Sequence, residues 1–343
     1  MDLERIFAGT VIGAALLSGA LALQPDTALA VPAPEAVAIT TTPLPLDRDD
    51  PARTQLGKLR FLGAVQLRAT DPLFGGVSGL RAGPDGRFLA VTDTGNWFAF
   101  TTVERDGRLV GLKDAWLLPI LQADGKPVAS KPEGDAEALE WNPATGAATV
   151  VYEQDHRLAH FSGIDAADSK SLSRAPDSIE RLTVMAGWPA NGGGEAVALL
   201  PGGARLVISE TARGPQRTRT ALLTQAGKTR VIEIEGVDNH SPTDAIALDA
   251  TRVLILHRRF TLLEGQGAAL SVVDLAPVLG GKGAEGTVLK GETLAQWEPP
   301  LTLDNMEGLA LRKEGGRTFL YIVSDDNLNA LQRTVLMKFE LVL

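Results

Sequence analysis

One pattern recurs five times along this chain, and it restricts the fold more than any other feature. Each copy is a short apolar segment opening on a polar residue, a turn, and a more strongly apolar segment closing on a polar residue. The copies are Ser78-Gly-Leu with Phe88–Asp93, Glu137-Ala-Leu-Glu-Trp with Ala148–Glu153, Glu195-Ala-Val-Ala-Leu with Ala204–Glu210, Asp244-Ala-Ile-Ala-Leu with Val253–His257, and Glu307-Gly-Leu-Ala-Leu with Phe319–Asp325. Their opening residues are 59, 58, 49 and 63 positions apart. Repeats of this kind belong to architectures whose units bury their apolar faces against one another. Turns such as Gly83-Pro-Asp-Gly86, Asn142–Gly146 and Pro201–Gly203 suit hairpins. Further strand-like runs lie between the hairpins, including Arg108–Ile120, Arg230–Glu235 and Ala269–Leu275.

Two hairpin strands plus two outer strands make a propeller blade, so the sequence predicts an all-β β-propeller with five visible four-stranded repeats. Residues 162–190 or 276–303 leave room for a sixth blade, and a β-sandwich is the competing fold. Leu59–Leu67 and Thr334–Leu343 flank the repeats, which predicts that N- and C-terminal strands share a blade and close the ring. Closure removes the exposed sheet edges that invite aggregation.

Residues 1–30 stand apart. Ile6–Leu23 is almost uninterrupted apolar sequence, followed by Ala28-Leu29-Ala30, the pattern of a signal peptide cleaved after Ala30. A periplasmic or secreted protein is expected, with an uncleaved anchor as the alternative. Residues 31–55 carry Pro32, Pro34, Pro43, Pro45 and Pro51 and read as a Pro-rich linker before a single propeller domain over 56–343. Nothing else could cross a bilayer, so no stable membrane insertion is expected after cleavage, and a monomer is expected. The 343 residues include no cysteine, which excludes disulfides, thiolate catalysis and Cys-ligated metals. A net charge of −9 without a Lys/Arg run argues against a nucleic-acid partner.

In a hairpin, the residue entering the first strand and the residue leaving the second lie at the same end of the sheet. This puts Ser78 beside Asp93, Glu137 beside Glu153, Glu195 beside Glu210, Asp244 beside His257 and Glu307 beside Asp325, all at one mouth of the central channel. Crowded carboxylates raise one another's pKa or recruit a cation. An oxygen-rich donor set with few histidines favours Ca²⁺, or Mg²⁺, over zinc or copper. Lys131, Arg213 and Arg258 lie just outside the acids and are placed to hold phosphate oxygens.

Each of these residues also has a plainer reading. Asp325-Asp326-Asn327 is either a metal loop or a turn capped by its own side chains. His257 is either a general base or a histidine at the edge of the core, and Arg258-Arg259 either hold phosphate or simply pair with the acids.

Gly76-Val-Ser-Gly-Leu with Ala90-Val-Thr-Asp-Thr-Gly95, the Glu137-Ala-Leu-Glu and Gly194-Glu-Ala-Val-Ala-Leu segments, and Asn305-Met-Glu-Gly-Leu-Ala-Leu with Val323-Ser-Asp-Asp-Asn327 resemble the bacterial family named for the "esterase-like activity of phytase" domain. The resemblance runs from about Leu59 to Leu343. It implies an exported propeller whose repeated acids serve phosphoesterase-type chemistry, and it selects Glu137, Glu195, Glu307, Asp93, Asp325 and Asp326. The chain departs from the pattern at Ser78, Asp244 and His257.

The expected function is metal-dependent hydrolysis of a small-molecule phosphate ester. Glu195, Asp244, Asn305, Glu307, Asp325 and Asn327 are expected to hold the metal. Glu137 or His257 takes a proton from water, and Lys131, Arg213 and Arg258 hold the phosphate. Asp93, Glu153, Glu210 and Asp326 complete the acidic mouth. The alternatives are a non-catalytic binding or scaffold propeller with a structural ion, and a calcium-dependent lactonase or carboxyl esterase.

Overall fold

A computed structural model describes residues 36–214, 218–261 and 264–343. The expected signal peptide over residues 1–30 and its cleavage after Ala30 lie outside the described residues. Five antiparallel-built sheets form the blades of a β-propeller. From the axis outward, the first blade runs Val77–Ala82, Arg87–Thr92, Asn96–Arg105, Arg108–Pro119 and the short Ala36–Val37. The second runs Ala136–Asn142, Ala147–Tyr152, Arg157–Phe161 and Ser178–Glu180. The third runs Gly194–Leu199, Arg205–Arg213, Arg219–Gln225 and Lys228–Ile234, with Val288–Leu289 added in parallel at its edge. The fourth is Ser241–Ala247, Arg252–Thr261, Gly265–Asp274 and Gly291–Trp297. The fifth joins both ends of the fold: Asn305–Glu314, Arg317–Asp325 and Thr334–Leu341 pair on to Leu59–Ala69 and then Ile39–Leu44.

The five inner strands neighbour one another in a closed cycle around the axis. Among the described residues there is no sixth blade: residues 276–303 supply outer strands to blades three and four, and the one strand within 162–190 is Ser178–Glu180. Nor is 31–55 a linker throughout. Ile39–Leu44 is the outermost strand of the fifth blade, and Leu46 is fully buried. Pro43 is tolerated there because a strand at a sheet edge need not donate on its outer side.

The core divides into five clusters, one at each interface between adjacent blades. Side-chain alternation along each strand produces this arrangement. In Arg252–Thr261, Val253 and Ile255 pack toward the third blade while Leu254 and Leu256 pack toward the fifth. Trp97, Trp141, Trp188 and Trp297 are buried in these interfaces, and Trp116 packs against one of them.

Near the axis, the inner hairpins share an irregularity that sequence does not display. Each has a register shift at its upper end: Val77/Leu80, Val151/Tyr152, Gly194/Ala196, Pro242/Asp244 and Met306/Gly308. A bulge leaves a residue unpaired and re-aims its side chain. The residues skipped in blades two to five are Glu137, Glu195, Thr243 and Glu307, with Ser78 and Gly79 in blade one. The glycine that follows in blades one and five has a steric cause. A Cβ on Gly79 would stand 2.4 Å from the Leu139 amide nitrogen, and one on Gly308 would stand 2.4 Å from the Ser78 carbonyl.

Below the bulges, Arg81 blocks the channel. Its Nη1 donates to Leu80 O at 2.6 Å, Asp244 Oδ2 at 2.9 Å and Leu309 O at 2.9 Å. Its Nη2 donates to Val197 O at 2.7 Å and Ala245 O at 2.7 Å, and Nε donates to Glu140 at 3.3 Å. One buried guanidinium thus touches the inner strand of every blade.

Candidate functional site

The bulges deliver their acids to a cavity of about 290 Å³ above the Arg81 plug. It is lined by Asp93, Asp135, Glu137, Glu153, Glu195, Glu210, Glu307 and Asp325, with Lys131, Arg258, Gln154, Asn191, Gly192 and Asn327. On the first- and second-blade side, Lys131 Nζ donates to Asp93 at 2.7 Å and to Asp135 at 2.8 Å. The Ser78 hydroxyl donates to Glu137 at 3.1 Å, and the amides of Gly192 and Gly193 donate to one oxygen of Glu153. Across the cavity, Arg258 Nη2 donates to Glu210 at 3.1 Å and Nη1 to Asn305 at 3.1 Å, while Nε lies 2.9 Å from Glu307. Asn305 also donates to Glu307 at 2.7 Å.

Eight carboxylates thus face two bases, and the imbalance appears in their protonation. Burial, then the charges of Asp135 and Glu153, push Glu137 well above the usual carboxylate range. Burial and the charge of Glu210 do the same to Glu195. Glu307 is pushed up to about 8 by burial, with Arg258 pulling against it, and Asp325 to about 7 by burial, with the Asn327 amide opposing. Arg258 is held protonated more firmly than usual, first by Glu307.

These shifts set a pH dependence. Carboxyls whose pKa is higher in the fold than in the unfolded chain contribute stability that is complete below the unfolded value and is lost as pH rises through the folded one. Glu307 and Asp325 therefore stop helping the metal-free fold as pH climbs through about 7 and 8. His257 acts in the opposite sense: burial lowers it to about 3, so its contribution is present above its unfolded value and is lost as pH falls toward 3. Above about pH 6.5, His257 is largely neutral in both states. In EDTA, the thermal midpoint should fall between about pH 6.5 and 8.5; a midpoint that climbs over that range would contradict the crowding.

The structure brings together Glu137, Glu195, Glu307, Asp325, Asn327, Lys131, Arg258, Asp93, Glu153 and Glu210 on one cavity, with Asn305 bonded to its wall. It places four other residues elsewhere. Asp244 is fully buried beneath the mouth, where Arg81 and the amides of Ala245 and Leu309 surround it with donors. Both of its oxygens are thereby engaged, and it lies outside the lining of the mouth where it was expected among the metal ligands. His257, expected as a general base, is 1% exposed, with Nε2 2.8 Å from the Ser271 hydroxyl, and lies outside the cavity lining. Arg213 is exposed and outside the lining. Asp326 is occupied by the Gly76 and Leu328 amides and the Thr334 hydroxyl, so it shapes the loop.

The fourth blade corrects the repeat alignment by one residue. Thr243, not Asp244, occupies the bulge, and Arg258, not His257, stands where the other blades have Asp93, Glu153, Glu210 and Asp325. Counting back from the turns, Leu200–Ala204 and Leu248–Arg252, gives this alignment, whereas matching Ala-Val-Ala-Leu to Ala-Ile-Ala-Leu does not.

Asp135, Gln154, Asn191 and Gly192 also line the cavity. Asp135 had a sequence signal, the i, i+2 pair of acids in Gly134-Asp-Ala-Glu137. Among the described residues, Asp135, Glu137 and Glu153 each offer an oxygen within 4.8 Å of the others. Three hard oxygen donors whose charges repel suit Ca²⁺ or Mg²⁺, so the residues present fit such an ion.

The sequence profile of the Phytase-like family, described as "Esterase-like activity of phytase", matches residues 72–328. The chain belongs to this family. No curated protein matches it. Solved structures similar to this phytase-like propeller include the major allergen Mala s 1 of Malassezia sympodialis, at 12% identity, with 82% of this chain and 88% of that one covered and a TM-score of 0.41. The N-terminal domain of Nup159 is 10% identical, with 84% and 96% covered and a TM-score of 0.36. A putative exported protein from Bacteroides fragilis is 10% identical, with 82% and 94% covered and a TM-score of 0.34. These likenesses are too distant to transfer a function. No described helix is long and apolar enough to cross a membrane.

Proposed function

We infer that this phytase-like protein hydrolyses a phosphate ester of a small molecule at the acidic mouth of the propeller, with a calcium ion held by Asp135, Glu137 and Glu153. The observation that carries this reading is the convergence of those three carboxylates beside five further acids, in a chain of this family. When bound, the ion would polarise the ester and lower the pKa of water. The chain's own groups would do the rest. Glu195, buried and held above the usual carboxylate range, is poised to exchange a proton with the attacking water or the leaving oxygen. Arg258 and Lys131 already span pairs of acids, and their remaining N–H groups would orient the phosphoryl oxygens. The Arg81 plug makes the site a blind cup, so substrate enters and product leaves by one mouth. Export to the periplasm or beyond remains part of the same proposal.

A second reading has its own observation. Both bases in the cavity are already neutralised by acids, which suits a site that holds a cation without turnover. Assays on p-nitrophenyl phosphate, bis-p-nitrophenyl phosphate and a simple lactone, with calcium and with EDTA, separate the possibilities. Calcium-dependent release from a phosphate ester is the expected result. Turnover of the lactone alone would move the site to carboxyl esters. No turnover, with calcium still raising the melting temperature, would establish the binding role.

A further inference from the structure

We propose that Arg258 is a built-in counter-ion that occupies the place of a second metal ion, so that the mouth takes one divalent cation, on its second-blade side. This rests on the metal-binding reading above and adds to it the number of ions and the residue that sets it.

Register carries the first part of the argument. At the upper end of the second strand, four blades place an acid and the fourth places Arg258. At the bulge, three blades place Glu, while the fourth places Thr243, whose hydroxyl donates to the Met306 carbonyl. The fourth blade therefore brings no negative charge to the mouth and one positive charge.

Geometry carries the second part. The guanidinium reaches both neighbouring blades, with Nη2 3.1 Å from Glu210 and Nε 2.9 Å from Glu307. A planar fork can satisfy acids from two directions much as a divalent ion would, but it cannot leave. Glu195 lies beside this group, only 7% exposed, lining the cavity, and without a hydrogen-bond partner among the described residues. A buried carboxylate without a partner is costly unless a cation or a proton compensates it. On the opposite side Lys131 pairs with Asp135, but among the described residues no cation reaches Glu137 or Glu153, and the oxygens of those three acids are the ones that converge. Removing the guanidinium would leave Glu195, Glu210 and Glu307 without a cation, three carboxylates of the same donor type that an ion would have to draw together.

The test is calcium stoichiometry by isothermal titration on the exported chain. One ion per chain is expected for the unaltered protein, two for Arg258→Gln, and one again for Arg258→Lys. An Arg258→Gln protein that is unfolded in EDTA and folded in calcium would also support the proposal. Two ions in the unaltered protein, or a folded Arg258→Gln protein that still binds one, would overturn it. If the unaltered protein binds none while Arg258→Gln binds one, the second-blade metal site fails and the counter-ion role stands.

Discussion

Replacing Arg81 with Met should be the most destabilising single substitution at the propeller axis. The side chain that remains fills part of the plug, but Asp244 loses its counter-charge while fully buried, and the carbonyls of Val197, Ala245 and Leu309 lose their donor. Breaking a buried pair from one side costs about 3–5 kcal/mol, and each orphaned carbonyl adds roughly 1–3 kcal/mol where water cannot reach it. Domains of this kind have only about 5–15 kcal/mol in total. The urea midpoint of Arg81→Met should therefore fall by several tenths of its value, or the protein should not fold. The double variant Arg81→Met/Asp244→Asn removes the stranded charge and should recover at least about 1 kcal/mol of the loss. A midpoint equal to that of the unaltered protein would mean that the plug contributes nothing.

Glu137→Gln should separate stability from function. Glu137 sits at the centre of the acids, with burial and four neighbouring carboxylates disfavouring its charge. An amide of the same shape removes a repelled charge, so the metal-free protein should melt at a higher temperature in EDTA. The same change removes one of the three converging oxygens. Loss even of a group supporting a metal ligand costs about 10–100-fold, so calcium-dependent hydrolysis of p-nitrophenyl phosphate should drop by at least that much. Stability spent on a functional cluster is the usual trade. A variant less stable in EDTA that keeps full turnover would contradict both halves of this expectation.

Much of the fold was legible because the signals are local. Alternating apolar segments and Gly- or Pro-containing turns mark the inner hairpins, and the flanking runs at Leu59–Leu67 and Thr334–Leu343 announce the shared blade. That the acids end at one mouth followed from hairpin geometry, whereas the bulges that aim Glu137, Glu195 and Glu307 into it did not.

What sequence did not show depends on single-residue register and on contacts across the axis. The bulge at Thr243 shifts the fourth blade by one position, and a one-residue shift changes which side chain faces the mouth. It sends Asp244 down to Arg81 and lifts Arg258 into the cavity. Arg81 itself is the one charged residue of its inner strand, and its partners come from four other blades, more than a hundred residues away in most cases. Ile39–Leu44 looked like a linker because of Pro43 and the prolines on either side of it. An edge strand has no outer neighbour to demand the missing donor.

The most direct test is a crystal soaked in calcium and phosphate. Electron density for an ion bridging Asp135, Glu137 and Glu153 at oxygen distances of about 2.3–2.6 Å, with the phosphate on the axis above Arg258, is the expected result. An ion bound only elsewhere on the surface, with those three carboxylates bare, would contradict the metal site and the hydrolysis built on it.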